Sequence, residues 1–466
     1  MKLRLAAGLL LGAWAATGLG QSLPAYSTWD ADIINTESVS QTGAGVYVAV
    51  LDTGLVPYWR DYFPQARIAE DLGTGFDQSV TFKAKGNPCE FDVEVGQLRQ
   101  TTWVGSIGST HGTHVTSTIV GYNYRSNFDA IAGFPLPPIY VKGIAPGATV
   151  IPVKVLADYQ VPALPKCTDP GPTPAQGVVF GTSGMVAAGI DYATNLAIAG
   201  RRPMVINMSL GGPELSAVEK AAIDRAIANG VIVVVAAGNE GETGMSFPGA
   251  YPPVISAGAA GWTGEWLFPG DGPRYRMWWL KYPFAPLLPG SGEVADPTVA
   301  GDVYVTDFSS RALLAQGQEL DVLAPGSWVR GPFPGDPGYS RLPWYSRGVG
   351  DLHGAQTNFF YVGGTSMATP HVTGVAALLK AQDPSRDWRT IKNLILAGAE
   401  PAAALSATIT GGRLNALNAL TCTGRNLQSR LLPRETATAT PGYPLTLAAV
   451  NIVCGVPAGD VVVTVS

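Results

Sequence analysis

Short, nearly unbroken apolar runs alternate with helical stretches through the middle of the chain. Residues 46–51 (VYVAVL), 150–156, 204–208, 231–237 and 254–257 are such runs. Segments this short and this apolar read as strands buried on both faces, as in a parallel sheet. Helical stretches lie between them at residues 184–199 and 216–229. In the second, Ala222, Ile223, Ala226 and Ile227 recur at helical spacing, and Gly230 follows as a stop. The alternation predicts a doubly wound α/β fold, a mostly parallel sheet with helices on both faces. In such sheets chemistry collects at the carboxyl ends of the strands.

Three polar motifs interrupt this pattern. The run VYVAVL ends in Asp52-Thr53-Gly54, and a carboxylate directly after a buried strand needs a partner. His111-Gly112-Thr113-His114-Val115 opens a helix with Val115 and Ile119 on one face. A third motif, running from Gly363 to His371, opens another helix in which Val372, Val375, Ala376 and Leu379 repeat at i, i+3, i+4, i+7. Pro370 is expected in its first turn, where a missing N–H costs little. Ser366 then sits at a helix N-terminus, whose dipole and free N–H groups favour negative charge beside it. Asp, His and Ser are the parts of a nucleophilic hydrolase. The imidazole takes the hydroxyl proton, and the carboxylate fixes the imidazole tautomer. His114 and His371 are expected to be packed helix residues. A metal pair at His111 and His114 would lack a third ligand nearby.

The flanking residues say more than the order Asp52, His111, Ser366. VAVLDTG around Asp52, HGTHVTSTIVG around His111 and GTSMATPHVTGVAALL around Ser366 resemble the subtilisin-type serine peptidases. GIAPGATVIPVKVL, VINMSLGG and VVVAAGNEG extend the resemblance, which runs from about Trp29 to Leu420. It implies a subtilisin-like fold and a catalytic triad of Asp52, His111 and Ser366. It implies Asn239 as the oxyanion-hole amide, with the Ser366 N–H as second donor. It also implies that Ser209, Leu210, Gly211 and Gly212 pair with an extended polypeptide substrate and wall its first specificity pocket. Glu240 and Ser246 suggest that this pocket tolerates several side chains. No cofactor is required for the chemistry. A structural calcium is expected at Asp61, which matches a family ligand, although the loop that would complete that site (122–140) is rewritten with aromatics and prolines.

Composition narrows the setting. Lys and Arg number 30 against 35 Asp and Glu, for a net charge of −5. No positive excess exists to neutralise phosphates, so nucleic acid is not an expected partner. Hydrophobic residues make up 46%, enough for a large core. Lys2 and Arg4, the apolar run 5–16 and the small residues up to Gly20 have the form of a secretory signal peptide over residues 1–20. That run is too short to span a bilayer, and no later run is long enough either. The product is expected outside the cell, as a monomer. The four cysteines fit an exported chain. Three pairings are open; Cys89–Cys167 with Cys422–Cys454 is favoured, because each bridge would staple one region.

The peptidase-like domain is expected over residues 21–420 and a small β-rich extension over 421–466, the latter beginning with a Thr/Pro linker (PRETATATPGYP). The resemblance implies a propeptide between signal and enzyme, yet Asp52 follows Gln21 too closely to leave room for one. Insertions at 158–176, 262–303 and 329–356 carry prolines and aromatics, suited either to extended subsites or to packing away from substrate. The leading reading is a secreted serine endopeptidase. Its rivals are an inactive scaffold that binds peptides in the same groove, and an esterase or amidase acting on small molecules.

Overall fold

The computed structural model describes residues 25–85, 87, 89–106, 109–124, 139–168, 171–263, 303–334, 344–346, 359–401, 408 and 410–422, together with strand pieces at 430–431, 449–450, 452–453 and 456–457. The expected signal peptide, most of the insertions at 262–303 and 329–356, and the Thr/Pro linker lie outside the described residues.

Eight strands form a parallel sheet. In chain order they are β1 (Tyr47–Asp52), β2 (Thr74–Asp77), β3 (Thr149–Lys154), β4 (Met204–Met208), β5 (Ile232–Ala236), β6 (Ile255–Trp262), β7 (Val322–Pro325) and β8 (Gly412–Arg413). In space the order is β8-β7-β6-β5-β4-β1-β3-β2. Arg99–Thr101, Val303–Val305 and Glu400–Pro401 add antiparallel strands to β2, β6 and β8. The chain enters at β1 in the middle, fills one side and returns across β1 to build the other. The strand order therefore switches between β3 and β4, with β1 between them, where open α/β sheets form their crevice.

Alternation along each strand divides the core. Val48 and Val50 of β1 face one layer with α1 (Trp29–Asp32), α2 (Thr110–Val120), α5 (Thr365–Gln382) and α6 (Trp388–Gly398). Ala49 and Leu51 face the other, with α3 (Ser183–Ile198) and α4 (Ala217–Ala228). With both faces covered, the strands need apolar residues at every position, which is why they read as unbroken runs. The expected helices agree closely with α3 and α4. Ser216 caps α4 through a reciprocal box with Glu219, and Gly230 ends it at φ +77°.

In α5 every residue from Thr365 to Lys380 is buried. It lies against α2 and crosses β4, β5, β6 and β7. One expectation about it is corrected. Pro370 is the sixth residue of α5, beyond the first turn, so its missing N–H removes a helical bond to the Ser366 carbonyl. Ser209 Oγ donates to that carbonyl instead, at 2.8 Å.

Cys89 and Cys167 are bridged as expected. The bond ties the turn of the hairpin Val80–Ala84/Phe91–Val95 to the loop of a second hairpin, Ala157–Val161/Gln176–Phe180. Those two strands frame the Pro-rich insertion. Cys422 is also disulfide-bonded, while Cys454 lies outside the described residues. After α7 (Ala416–Thr421), the described parts of the tail are strand pieces, Arg430–Leu431 with Ala449–Val450 and Ile452–Val453 with Val456–Pro457. No helix among the described residues is long and apolar enough to cross a membrane.

Candidate active site

A cleft of about 700 Å³ opens at the carboxyl ends of β1, β4 and β5. His111, Ser209, Leu210, Gly211, Gly212, Asn239 and Ser366 all line it. Asp52 ends β1 and is fully buried behind His111.

The first turn of α2 is fastened to the turn after β1. Gly112 N–H donates to Thr53 Oγ1 at 2.9 Å, and Ser109 Oγ donates to the Thr53 carbonyl at 2.7 Å. His111 Nδ1 lies 2.8 and 3.0 Å from the two Asp52 oxygens. A carboxylate accepts, so Nδ1 carries a proton, and in the neutral imidazole Nε2 then holds the lone pair, the tautomer a base requires. Asp52 Oδ1 also accepts from Thr53 N–H at 2.7 Å.

Ser366 is the second residue of α5 and is 7% exposed. Its backbone N–H has no partner among the described residues, as expected in the first turn of a helix. Asn239 follows β5. Its Oδ1 accepts from both Thr365 N–H and Thr365 Oγ1, at 2.9 and 3.0 Å. A backbone N–H can only donate, so the amide orientation is settled, and the Nδ2 hydrogens have no partner among the described residues. The Ser366 N–H and Asn239 Nδ2 are two such donors in one cleft.

One link of the expected triad is not closed. Ser366 Oγ donates to the Ser209 carbonyl at 3.2 Å rather than to His111. Ser209 and Ser366 thus form a reciprocal pair, each hydroxyl bonded to the other's carbonyl.

One edge of the expected substrate strand is already paired within the chain. Gly212 N–H and carbonyl both pair with Phe247, at 2.8 Å each. Alternation along an extended segment leaves Ser209 and Gly211 to present the opposite, open edge. Gly238, at φ +107°, has no room for a Cβ, which would fall 2.3 Å from Ser246 Oγ and 2.4 Å from Glu240 Oε2. Glu240 Oε2 accepts from the Ser246 and Ser310 hydroxyls.

The family model of the subtilase family (Peptidase_S8) matches residues 43–420. The chain belongs to the subtilase family. Subtilisin E of Bacillus subtilis (strain 168) is 28% identical over 352 residues, covering 75% of this chain and 58% of that protein. M-protease of Shouchella clausii (strain KSM-K16) is 28% identical over 351 residues, covering 75% and 57%. The subtilisin of Bacillus pumilus is 28% identical over 353 residues, covering 75% and 81%. The chain thus spans less than two thirds of the length of the first two. Among solved structures, Sphericase aligns at a TM-score of 0.49 and 22% identity, over 83% of this chain and 97% of that one.

His114 and His371 are packed helix residues of this subtilase core, as expected. His114 is fully buried in α2, with Nε2 3.1 Å from the Val329 carbonyl. Burial pushes its imidazole down to about 3. His371 lies between the Met367 carbonyl at 2.8 Å and Asp30 Oδ2 at 2.9 Å, which ties α1 to α5. His353 lies outside the described residues. Asp61 sits exposed at the end of a one-turn 3₁₀ helix (Trp59–Asp61). Among the described residues no group of three or more His, Cys, Asp or Glu gathers within reach of a common metal. The backbone after α2 is taken up by pairing of Gly121–Tyr124 with Ile139–Lys142. Most of the loop expected to complete a calcium site with Asp61 lies outside the described residues.

The sequence reading missed two contributors. Thr365 orients Asn239, and Asn207 Nδ2 donates to Ser209 Oγ at 3.1 Å while its Oδ1 accepts from Thr373 at 2.8 Å. Pro370, four residues after Ser366, was the available signal that the Ser366 carbonyl would need an outside donor.

Proposed function

We propose that the chain is a serine endopeptidase that hydrolyses polypeptides through an acyl-enzyme. The carrying observation is the buried Asp52 carboxylate holding His111 Nδ1 at 2.8 Å, in a cleft shared with the N-terminus of the Ser366 helix. An extended substrate pairs with the open edge of Ser209 and Gly211, and its N–H groups compete for the Ser209 carbonyl. Ser366 Oγ, released from that carbonyl, turns to His111 Nε2. His111 takes the hydroxyl proton as Oγ bonds to the scissile carbonyl carbon. Negative charge gathers on the carbonyl oxygen, which the Ser366 N–H and Asn239 Nδ2 receive. The C–N bond breaks as His111 returns the proton to the leaving amine. Water, activated by His111, then cleaves the ester. Every step uses side chains and backbone of this chain. The proposed setting is extracellular, after removal of residues 1–20, with the enzyme acting as a monomer.

Mass spectrometry after treatment with a fluorophosphonate tests the assignment. One phosphonyl adduct is expected on the wild type and none on Ser366→Ala. Turnover of a peptide by that variant should fall by roughly 10⁴–10⁶, the scale known for a subtilisin nucleophile. Undiminished turnover sinks the proposal. A folded wild type that binds peptide but takes no adduct would be the inactive scaffold.

A further inference from the structure

The cleft has a second end. Gly238 and Asn239 follow β5, whereas Leu156 follows β3, and in the sheet β4 and β1 lie between those two strands. Three strand spacings of about 4.8 Å set the two ends roughly 14 Å apart. Phe180 of the disulfide-tied hairpin, Val186 of α3 and Leu210 line the cleft together with Leu156. Leu156, Val186 and Leu210 belong to one apolar cluster. The helix α4 packs beside α3 and brings Glu219, in its first turn, into the same lining.

Glu219 is 7% exposed. Its Oε2 is occupied by Ser216, accepting the N–H at 3.2 Å and Oγ at 2.8 Å. Its Oε1 accepts no hydrogen bond from the described residues. Lys220, the next residue, is turned to Asp224 at 2.7 Å. Among the described residues the lining holds no Lys or Arg, while Glu214 and Glu240 bring further carboxylates. Glu240 Oε2 is taken by the Ser246 and Ser310 hydroxyls. A carboxylate oxygen this far out of water costs free energy until a donor reaches it.

A long basic side chain has the complementary form. Its methylene stem can lie on Leu156, Phe180, Val186 and Leu210 while its cationic head meets Glu219 Oε1. We propose, on the reading that the cleft binds polypeptide, that Glu219 makes its far end a subsite for a lysine or arginine side chain of the substrate. Ser209 lies against Ser366. In antiparallel pairing a substrate runs toward Ser366 as residues 209–212 run away from it. The residues that reach the far end are then N-terminal to the scissile bond. An extended chain advances about 3.3 Å per residue, so the subsite lies about four residues before the cut.

The test compares fluorescent peptides that carry lysine or norleucine, the same stem without the charge, at the third, fourth or fifth position before the cut. Binding to Ser366→Ala is read by fluorescence polarisation, which needs no turnover, and kcat/KM is read on the wild type. Lysine should be favoured by about tenfold at one of these positions, the scale of one hydrogen bond to a charged group. Glu219→Gln should bring that ratio close to one. Glutamine can hold the Ser216 N–H as glutamate does, so α4 keeps its cap. Glu240→Gln should leave the ratio at its wild-type value. A protein that binds the lysine peptide selectively and cleaves neither would remove the peptidase reading and leave the subsite standing. Equal affinity for lysine and norleucine at every position, no binding of either, or a preference that survives Glu219→Gln overturns the inference.

Discussion

Replacing Gly112 by alanine sets two effects of opposite sign against each other. Gly112 is the third residue of α2, and on helix propensity alone alanine gains about 1 kcal/mol. The added Cβ would lie 2.4 Å from the Gly54 carbonyl oxygen and 3.1 Å from Asp52 Oδ1 and Thr53 Oγ1. Normal contact requires α2 to retreat by roughly 1 Å. The Gly54 side cannot yield. Its φ is +78°, and its own Cα is packed against the Trp103 carbonyl, where a Cβ would fall 2.1 Å away. Overpacking of this kind costs about 1–3 kcal/mol, so stability should drop by up to about 2 kcal/mol net. The kinetic effect should be larger. Adding 1 Å to the 2.8 Å His111–Asp52 contact takes it out of hydrogen-bond range. Misplacement on that scale costs on the order of 10² in rate. Urea unfolding midpoints and kcat on a small ester would be measured side by side. A variant as stable as wild type with unchanged kcat would show that the absent Cβ does not fix the docking of α2.

Two further outcomes are expected. Asn239→Leu should lower kcat by about 10²–10³ with little change in KM, the loss known for removing this donor from a subtilisin; an unchanged kcat would remove Asn239 from the oxyanion site. For His114, burial depresses the folded-state value to about 3 from an ordinary 6.5. The unfolded chain therefore binds a proton between those limits that the folded chain refuses, and stability falls as pH drops through that window, by at most about 1.4 kcal/mol per unit. Unfolding free energies at pH 7 and pH 5 should show a shallower pH dependence in His114→Gln than in wild type, and equal slopes would contradict the assignment.

Much of this was legible in the chain. Strands buried on both faces announce themselves as unbroken apolar runs, so β1, β3, β4, β5 and β6 could be placed within a few residues. The proposed triad members, Asp52, His111 and Ser366, stand in motifs whose neighbours are as informative as they are. What could not be read are contacts between residues far apart in sequence. Nothing local to Thr365 shows that its N–H and hydroxyl hold the Asn239 oxygen. The rotamer of Ser366 depends on the carbonyl of Ser209, which follows β4, 157 residues away in the chain. Pro370 was misplaced because helix starts are hard to fix to the residue, and a shift of two positions changes a harmless proline into one that frees a carbonyl. Glu219 reads as one half of a capping box until the fold places it in the cleft.

The parts of the site are widely spaced along the chain. The Asp52–His111 bond joins residues 59 apart, the Asn239–Thr365 bond 126 apart and the Ser209–Ser366 pair 157 apart. Contacts of such range form only after the entropy of closing long loops has been met, which slows folding. Synthesised from its N-terminal side, the chain cannot bring the proposed nucleophile, base and oxyanion donors together before Ser366 has been made. Any intermediate in which α5 has not docked holds the proposed base without the proposed nucleophile. Under the proposed function, the dispersion of the machinery is a form of timing: the growing or half-folded chain, whose own loose segments would be the nearest substrates, stays chemically silent.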